Sequence, residues 1–97
     1  MIVSFGDQAT EDLFHGRSTN KARKFPANVV VGAQMKLDML NAAASMMDLR
    51  APPGNRLEAL KGDLKGYHSI RVNDQRRLVF RWDRNDVHEV RLTDYHD

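Results

Sequence analysis

The segment Pro52-Pro53-Gly54 divides the chain into two halves of different periodicity. Consecutive prolines remove backbone donors and fix φ, and glycine frees the next turn, so no regular element runs through them. Before them, Val29, Ala33, Leu37, Leu40, Ala44 and Met47 recur at spacings of three and four, the stripe of one helical face. After them, apolar residues alternate with polar ones at Ile70 and Val72, at Leu78, Phe80 and Trp82, and at Val90 and Leu92. That is the period of half-buried strands. Helices followed by strands imply an α+β fold, with two helices packed on one face of a small, twisted, mainly antiparallel sheet.

The remaining elements follow from local chemistry. Ile2-Val3-Ser4-Phe5 reads as a short N-terminal strand. Asp7 can cap a helix through Ala9, Leu13 and Phe14, because its carboxylate accepts orphan backbone N–H groups. Gly16 suits the end of that helix, and Arg17 to Lys24 is a basic loop. Pro26 fits the first turn of the second helix, where its missing donor costs nothing. Leu57-Glu58-Ala59-Leu60 is expected as an edge strand, and Asn73-Asp74 and Arg84-Asn85-Asp86 as turns. Arg77, Val79 and Arg81 then share the sheet face opposite Leu78, Phe80 and Trp82.

Ninety-seven residues suffice for one domain, residues 1–97. A domain of this size favours a shallow groove over an enclosed pocket. No apolar run approaches the roughly 18 residues of a membrane span. The N-terminus lacks the basic and long apolar regions of a secretory signal. Cysteine is absent, so disulfide and thiolate chemistry are excluded. A cytoplasmic protein is the simplest reading, with no membrane partner.

Net charge is only +2, but the cations cluster. From Arg56 to Arg91 there are nine Lys or Arg against six Asp or Glu, and Arg17, Lys21, Arg23 and Lys24 form a second group. Clustered cations suit a polyanion such as nucleic acid; a solvated surface fits the same pattern. Lys65, Arg71, Arg81, His68, Arg23 and Lys24 are the candidate RNA contacts, and Tyr67 and Trp82 offer rings for base stacking. Trp82, in phase with Leu78 and Phe80, fits core packing equally well.

His15, His68, His88 and His96 show no metal-ligand spacing, and no nucleotide-cradling glycine loop is present, so neither metal nor cofactor is expected. The chain closes with Asp94-Tyr95-His96-Asp97. As a terminus this is a polar tail open to fraying. Laid across the sheet, it brings a phenol, an imidazole and a carboxylate beside Lys61 and Arg77. Imidazole moves protons near neutral pH, and arginine pairs bidentately with phosphate oxygens.

Leu60-Lys61-Gly62-Asp63, Gly66-Tyr67-x-Ser69-Ile70-x-Val72, Arg77-Leu78-x-Phe80 and the closing Asp94-Tyr95-His96 together resemble the HigB-type toxins of the RelE/ParE superfamily of bacterial toxin–antitoxin modules. The similarity spans nearly the whole chain, and the order and spacing of these short matches carry it. The resemblance implies a RelE-like fold and a ribosome-dependent mRNA endoribonuclease that uses no metal. The ribose 2′-hydroxyl attacks the adjacent phosphate and the 5′-oxygen leaves. Carried over by position, Asp94, Tyr95 and His96 resemble the catalytic tail, and Lys61 and Arg77 the cations on the phosphate.

One departure concerns Glu58, which stands where some members carry histidine. A carboxylate can act as a base, but its ordinary pKa of about 4.3 lies well below the imidazole value of about 6.5. His68 stands where tryptophan is frequent. The resemblance also implies a helix-turn-helix antitoxin of the HigA type as partner, besides ribosome and messenger. Two alternatives share the fold: a ParE-like gyrase inhibitor, and a catalytically impaired homologue that binds an antitoxin.

Overall fold

The structure is a computed structural model in which residues 1–94 are described. Helix α1 spans Gln8–Phe14 and helix α2 Ala27–Ala42. Four strands follow: β1 Glu58–Ala59, β2 Tyr67–Arg71, β3 Arg76–Asp83 and β4 Asp86–Asp94. They form one sheet in the order β1-β2-β3-β4, antiparallel throughout. The expected α+β architecture is present, with the helices layered on one sheet face.

Asp7 caps α1 as expected, accepting from the Thr10 backbone N–H at 2.8 Å. A Thr10 hydroxyl bond from the Leu92 backbone N–H, 2.8 Å, ties this helix to β4. Helix α2 ends earlier than its apolar stripe suggests. The Asp48 carboxylate accepts from the Ala44 and Ser45 backbone N–H groups at 2.8 and 3.3 Å. Those donors are diverted from the helical ladder, and Met46–Arg50 turn into a 3₁₀ segment. Val29, Ala33, Leu37 and Leu40 are buried against Ile70, Leu78, Phe80, Val87 and Val90. Trp82 packs against the same core.

The N-terminal segment is less regular than a strand. It meets β4 through two isolated parallel bridges, Ile2 with Val87 and Phe5 with Val90. Glu89, between those contacts, adopts a left-handed backbone with φ of 56°, which breaks the ladder. Gly6 lies where the segment presses on β4. A Cβ there would stand 2.9 Å from the Glu89 carbonyl oxygen and 3.3 Å from Arg91 Cβ. No helix among the described residues is long and apolar enough to cross a membrane.

Candidate functional site

Residues directly opposite across an antiparallel ladder share a face, so register defines the surface turned away from the helices. One row runs Glu58, Ser69, Val79, Arg91. The next runs Arg71, Arg77, Thr93, and a third pairs Tyr67 with Arg81. Ile70, Leu78 and Phe80 alternate with these residues and enter the core. The open face thus gathers four arginines, a tyrosine, a serine and a carboxylate.

Arg77 is the centre of this face and is not the solvent-exposed cation expected from alternation. Only 4% of it is exposed. Nε donates to the Ser69 hydroxyl at 2.7 Å, and Nη2 donates to the Arg56 carbonyl at 2.6 Å. Nη1 stands 3.7 Å from Glu58 Oε1. Arg56 has a left-handed φ of 45°, at the turn leading into β1. A buried guanidinium is tolerated because it is hydrogen-bonded and paired with a carboxylate. The network joins β3 and β2 to the edge strand and sets Glu58 beside a fixed positive charge.

Lys61 and Lys65 flank a 3₁₀ turn at Gly62–Leu64, between β1 and β2. Gly62 and Gly66 have φ of 64° and 94°, a region that favours glycine. Both lysines are exposed, and among the described residues neither forms an ion pair. The expected glycine-bent, basic connection to β2 is present, and it places two exposed cations at the end of the open face that Tyr67 begins.

Arg81 is engaged with Glu89, Nε to Oε2 at 3.0 Å. This bond, together with one from Tyr67, holds the Glu89 carboxyl below the usual carboxylate range; the same pairing raises Arg81. Arg71 donates from Nε to the Asn73 carbonyl at 3.2 Å and pairs with the Asp74 carboxylate. Both arginines lie on the open face, each with an internal carboxylate partner.

Other expected contacts fall elsewhere. His68 sits opposite Ala59 and Phe80 on the core-facing side, its ring stacked on Phe80 at 6.3 Å between centroids. It belongs to the packing of the helical side and does not join the RNA candidates on the open face. Its Nδ1 is buried without a hydrogen-bond partner among the described residues. Arg23 and Lys24 lie in the Ala22–Lys24 turn of the helical layer, next to Phe25, which packs on the core. Asp94 pairs with Arg76 at 3.3 Å, and the Arg76 guanidinium lies 4.9 Å from the Phe25 ring centroid. Its carboxylate therefore serves the helical side and does not sit with Lys61 and Arg77. Tyr95 and His96 lie outside the described residues. Among the described residues no group of three or more His, Cys, Asp or Glu is placed to hold a metal.

Sequence reasoning assigned no role to the Ser69 hydroxyl or the Arg56 carbonyl, and missed the contact of Glu89 with Arg81 and Tyr67. Ser69 carried one signal: a small polar residue at an outward strand position between two large ones.

Comparison with known proteins agrees with this architecture. The family described as "RelE-like toxin of type II toxin-antitoxin system HigB" matches residues 3–96. Toxin HigB-1 of Vibrio cholerae is 41% identical over 97 residues, covering 100% of this chain and 96% of that protein. The YoeB toxin in a heterotetrameric YoeB–YefM toxin–antitoxin complex from Staphylococcus aureus superposes with a TM-score of 0.62 at 25% identity. That match covers 100% of this chain and 97% of the other. The S. aureus YoeB dimer gives 0.59 at 26%, covering 99% and 95%. The chain belongs to the HigB-type, RelE-like toxins of type II toxin–antitoxin systems.

Proposed function

We propose that this toxin is a ribosome-dependent mRNA endoribonuclease that inhibits translation in the cytoplasm, with residues 1–97 acting as one domain. The observation that carries the reading is the Glu58 carboxylate 3.7 Å from the buried Arg77 guanidinium, on the arginine-rich sheet face opposite the core residues Ile70, Leu78 and Phe80. A base beside a fixed cation is what in-line attack by a ribose hydroxyl requires.

In this mechanism Glu58 accepts the proton of the 2′-hydroxyl as its oxygen attacks the adjacent phosphorus. Lys61, exposed at the start of the 3₁₀ turn, reaches the phosphate oxygens, while Arg77 supplies positive charge from beneath. Negative charge rises on those oxygens in the transition state, so cations aimed there contribute most. The P–O5′ bond breaks, and His96 gives the leaving 5′-oxygen its proton. The products are a 2′,3′-cyclic phosphate and a 5′-hydroxyl. Tyr95 orients the transferring groups, and Asp94 anchors the base of the tail through Arg76. Exposed lysines and the arginines of the open face contribute to ribosome affinity by counterion release.

The partner that restrains the toxin is a small antitoxin, of the helix-turn-helix HigA type; the YoeB–YefM complex supports an antitoxin as partner. Induced expression followed by mapping of messenger 5′ ends tests the enzymatic reading. Cuts at fixed codon positions that vanish when translation is blocked are the expected result. DNA breaks with intact messenger would overturn it in favour of gyrase inhibition.

A further inference from the structure

We infer that Arg91 holds a backbone phosphate of the messenger, at the edge of the open face away from Glu58. This rests on the endoribonuclease reading above and says how the strand to be cut lies on the sheet.

Four arginines share the open face, and three of them are matched by carboxylates. Arg77 faces Glu58, Arg71 pairs with Asp74, and Arg81 meets Glu89 at 3.0 Å and Asp83 at 3.9 Å. A guanidinium matched in this way offers less net charge to an incoming phosphate. Arg91 is partly exposed, and among the described residues it forms no ion pair. Glu89, two residues before it on β4, is taken by Arg81 and Tyr67.

The Arg91 stem is also seated. A Cβ on residue 6 would stand 3.3 Å from both Cβ and Cδ of Arg91. The stem therefore lies on the N-terminal segment at a point where glycine leaves it room. A stem already confined loses less rotamer freedom when its head group binds.

Placement gives the charge its ligand. Arg91 and Glu58 close the two ends of one row, with Ser69 and Val79 between them. Three strand spacings separate the ends, roughly 14 Å. A single strand with its scissile phosphate at Glu58 and Lys61 crosses the sheet along this row and brings another phosphate to Arg91. Arginine suits that contact because its fork pairs with two phosphate oxygens.

Ribosome affinity measured against salt tests this on two messengers. One fills the A site with a 2′-deoxy codon, which lacks the attacking hydroxyl and stays uncut; the other ends before the A site. Arg91→Gln is expected to make the log–log slope shallower by about 0.7 on the first, the increment for one single-strand phosphate, and to leave the second unchanged. Arg91→Lys keeps the charge and should keep the parental slope. Arg50→Gln, which removes a charge from the Met46–Arg50 turn outside the sheet, should also keep it. If Arg91→Gln melts below the assay temperature, Arg91→Met, with a long stem and no charge, is read in its place. A parental slope from the folded Gln or Met protein overturns the inference. An equal loss on both messengers does so by assigning the contact to ribosomal RNA, and an equal loss from Arg50→Gln by reducing it to net charge. A shallow slope from Arg91→Lys, or loss of folding in both neutral variants, overturns it too. A parent protein that leaves an all-ribose messenger uncut overturns the endoribonuclease reading instead.

Discussion

Arg71 and Arg77 stand directly opposite each other across β2 and β3, yet their guanidinium groups leave in different directions. Like charges in that position repel. Arg71 folds back to its own turn at Asn73 and Asp74, and Arg77 crosses β2 to Ser69, Arg56 and Glu58. One repulsive pair becomes two separately compensated charges, and the second is delivered to the edge strand beside a carboxylate.

That delivery makes Glu58 the residue on which the proposed chemistry turns. Glu58→Gln keeps the shape and removes the base, and cleavage should fall by about 10²- to 10⁴-fold, the span of general-base contributions. The melting temperature should fall as well, because the Arg77 guanidinium, 4% exposed, loses the Glu58 charge paired with it at 3.7 Å, so cleavage is compared below the melting point of both proteins. Single-turnover assays and a thermal melt check both statements; parental cleavage by a folded Glu58→Gln protein would remove Glu58 from the mechanism.

The tail is tested separately. His96→Ala and Tyr95→Phe should each abolish growth arrest while antitoxin binding persists, as measured by co-purification with the cognate antitoxin. Arrest by both variants at parental strength would mean that the terminal residues take no part.

Glu89 neutralises Arg81 on the open face. Asp83 also stands near Arg81, 3.9 Å from Nη1, so Glu89→Gln would free most but not all of that positive charge for an incoming backbone phosphate. Ribosome binding followed against salt should tighten, with a log–log slope steeper by about 0.7–0.9, the increment for one extra phosphate contact. An unchanged slope would place Arg81 outside the RNA interface.

Asp12 predicts an acid dependence of stability. Its buried carboxylate accepts from Gln8 and from the Thr19 hydroxyl, at 2.9 and 2.7 Å. Chiefly these two bonds, with Arg17 helping, hold its pKa below the usual carboxylate range. The folded value lies below the unfolded one, so the stabilisation is present above about pH 4 and is lost as pH falls through the folded value. Asp12→Asn should melt earlier at neutral pH and lose part of the acid dependence of Tm. Identical pH–Tm curves would contradict this.

Gly6→Ala tests the seam between the N-terminal segment and β4. A Cβ 2.9 Å from the Glu89 carbonyl forces a shift of one backbone, a cost of about 1–3 kcal/mol for overpacking a tight contact. Chemical denaturation gives the value directly, and an unchanged midpoint would show that the seam yields freely.

The two-helix half, the switch of period after Pro52-Pro53-Gly54 and the core alternation of β2, β3 and β4 were legible in the sequence. Hydrophobic burial acts on the spacing of apolar residues, and spacing is a property of the chain itself. The glycine-bent lysine turn was legible for a similar reason, since positive φ is a local preference. Alternation also placed Arg77, Arg81 and Arg91 on one face together. Their separate fates depended on partners far away in sequence. Arg77 is buried because Arg56 and Ser69 come from other segments, and Arg81 is neutralised by Glu89 across a bulged ladder. His68 turned to the helical side because strand register, set by pairing with Ala59 and Phe80, gives odd and even residues opposite faces. Asp94 was drawn from the expected tail cluster to Arg76 by that same parity. Periodicity therefore settled which residues lie in the core and which on the open face. Tertiary pairing alone decided which open-face charges are held in place by partners and which remain exposed, because an ion pair forms between groups that folding brings within a few ångströms, whatever their distance along the chain.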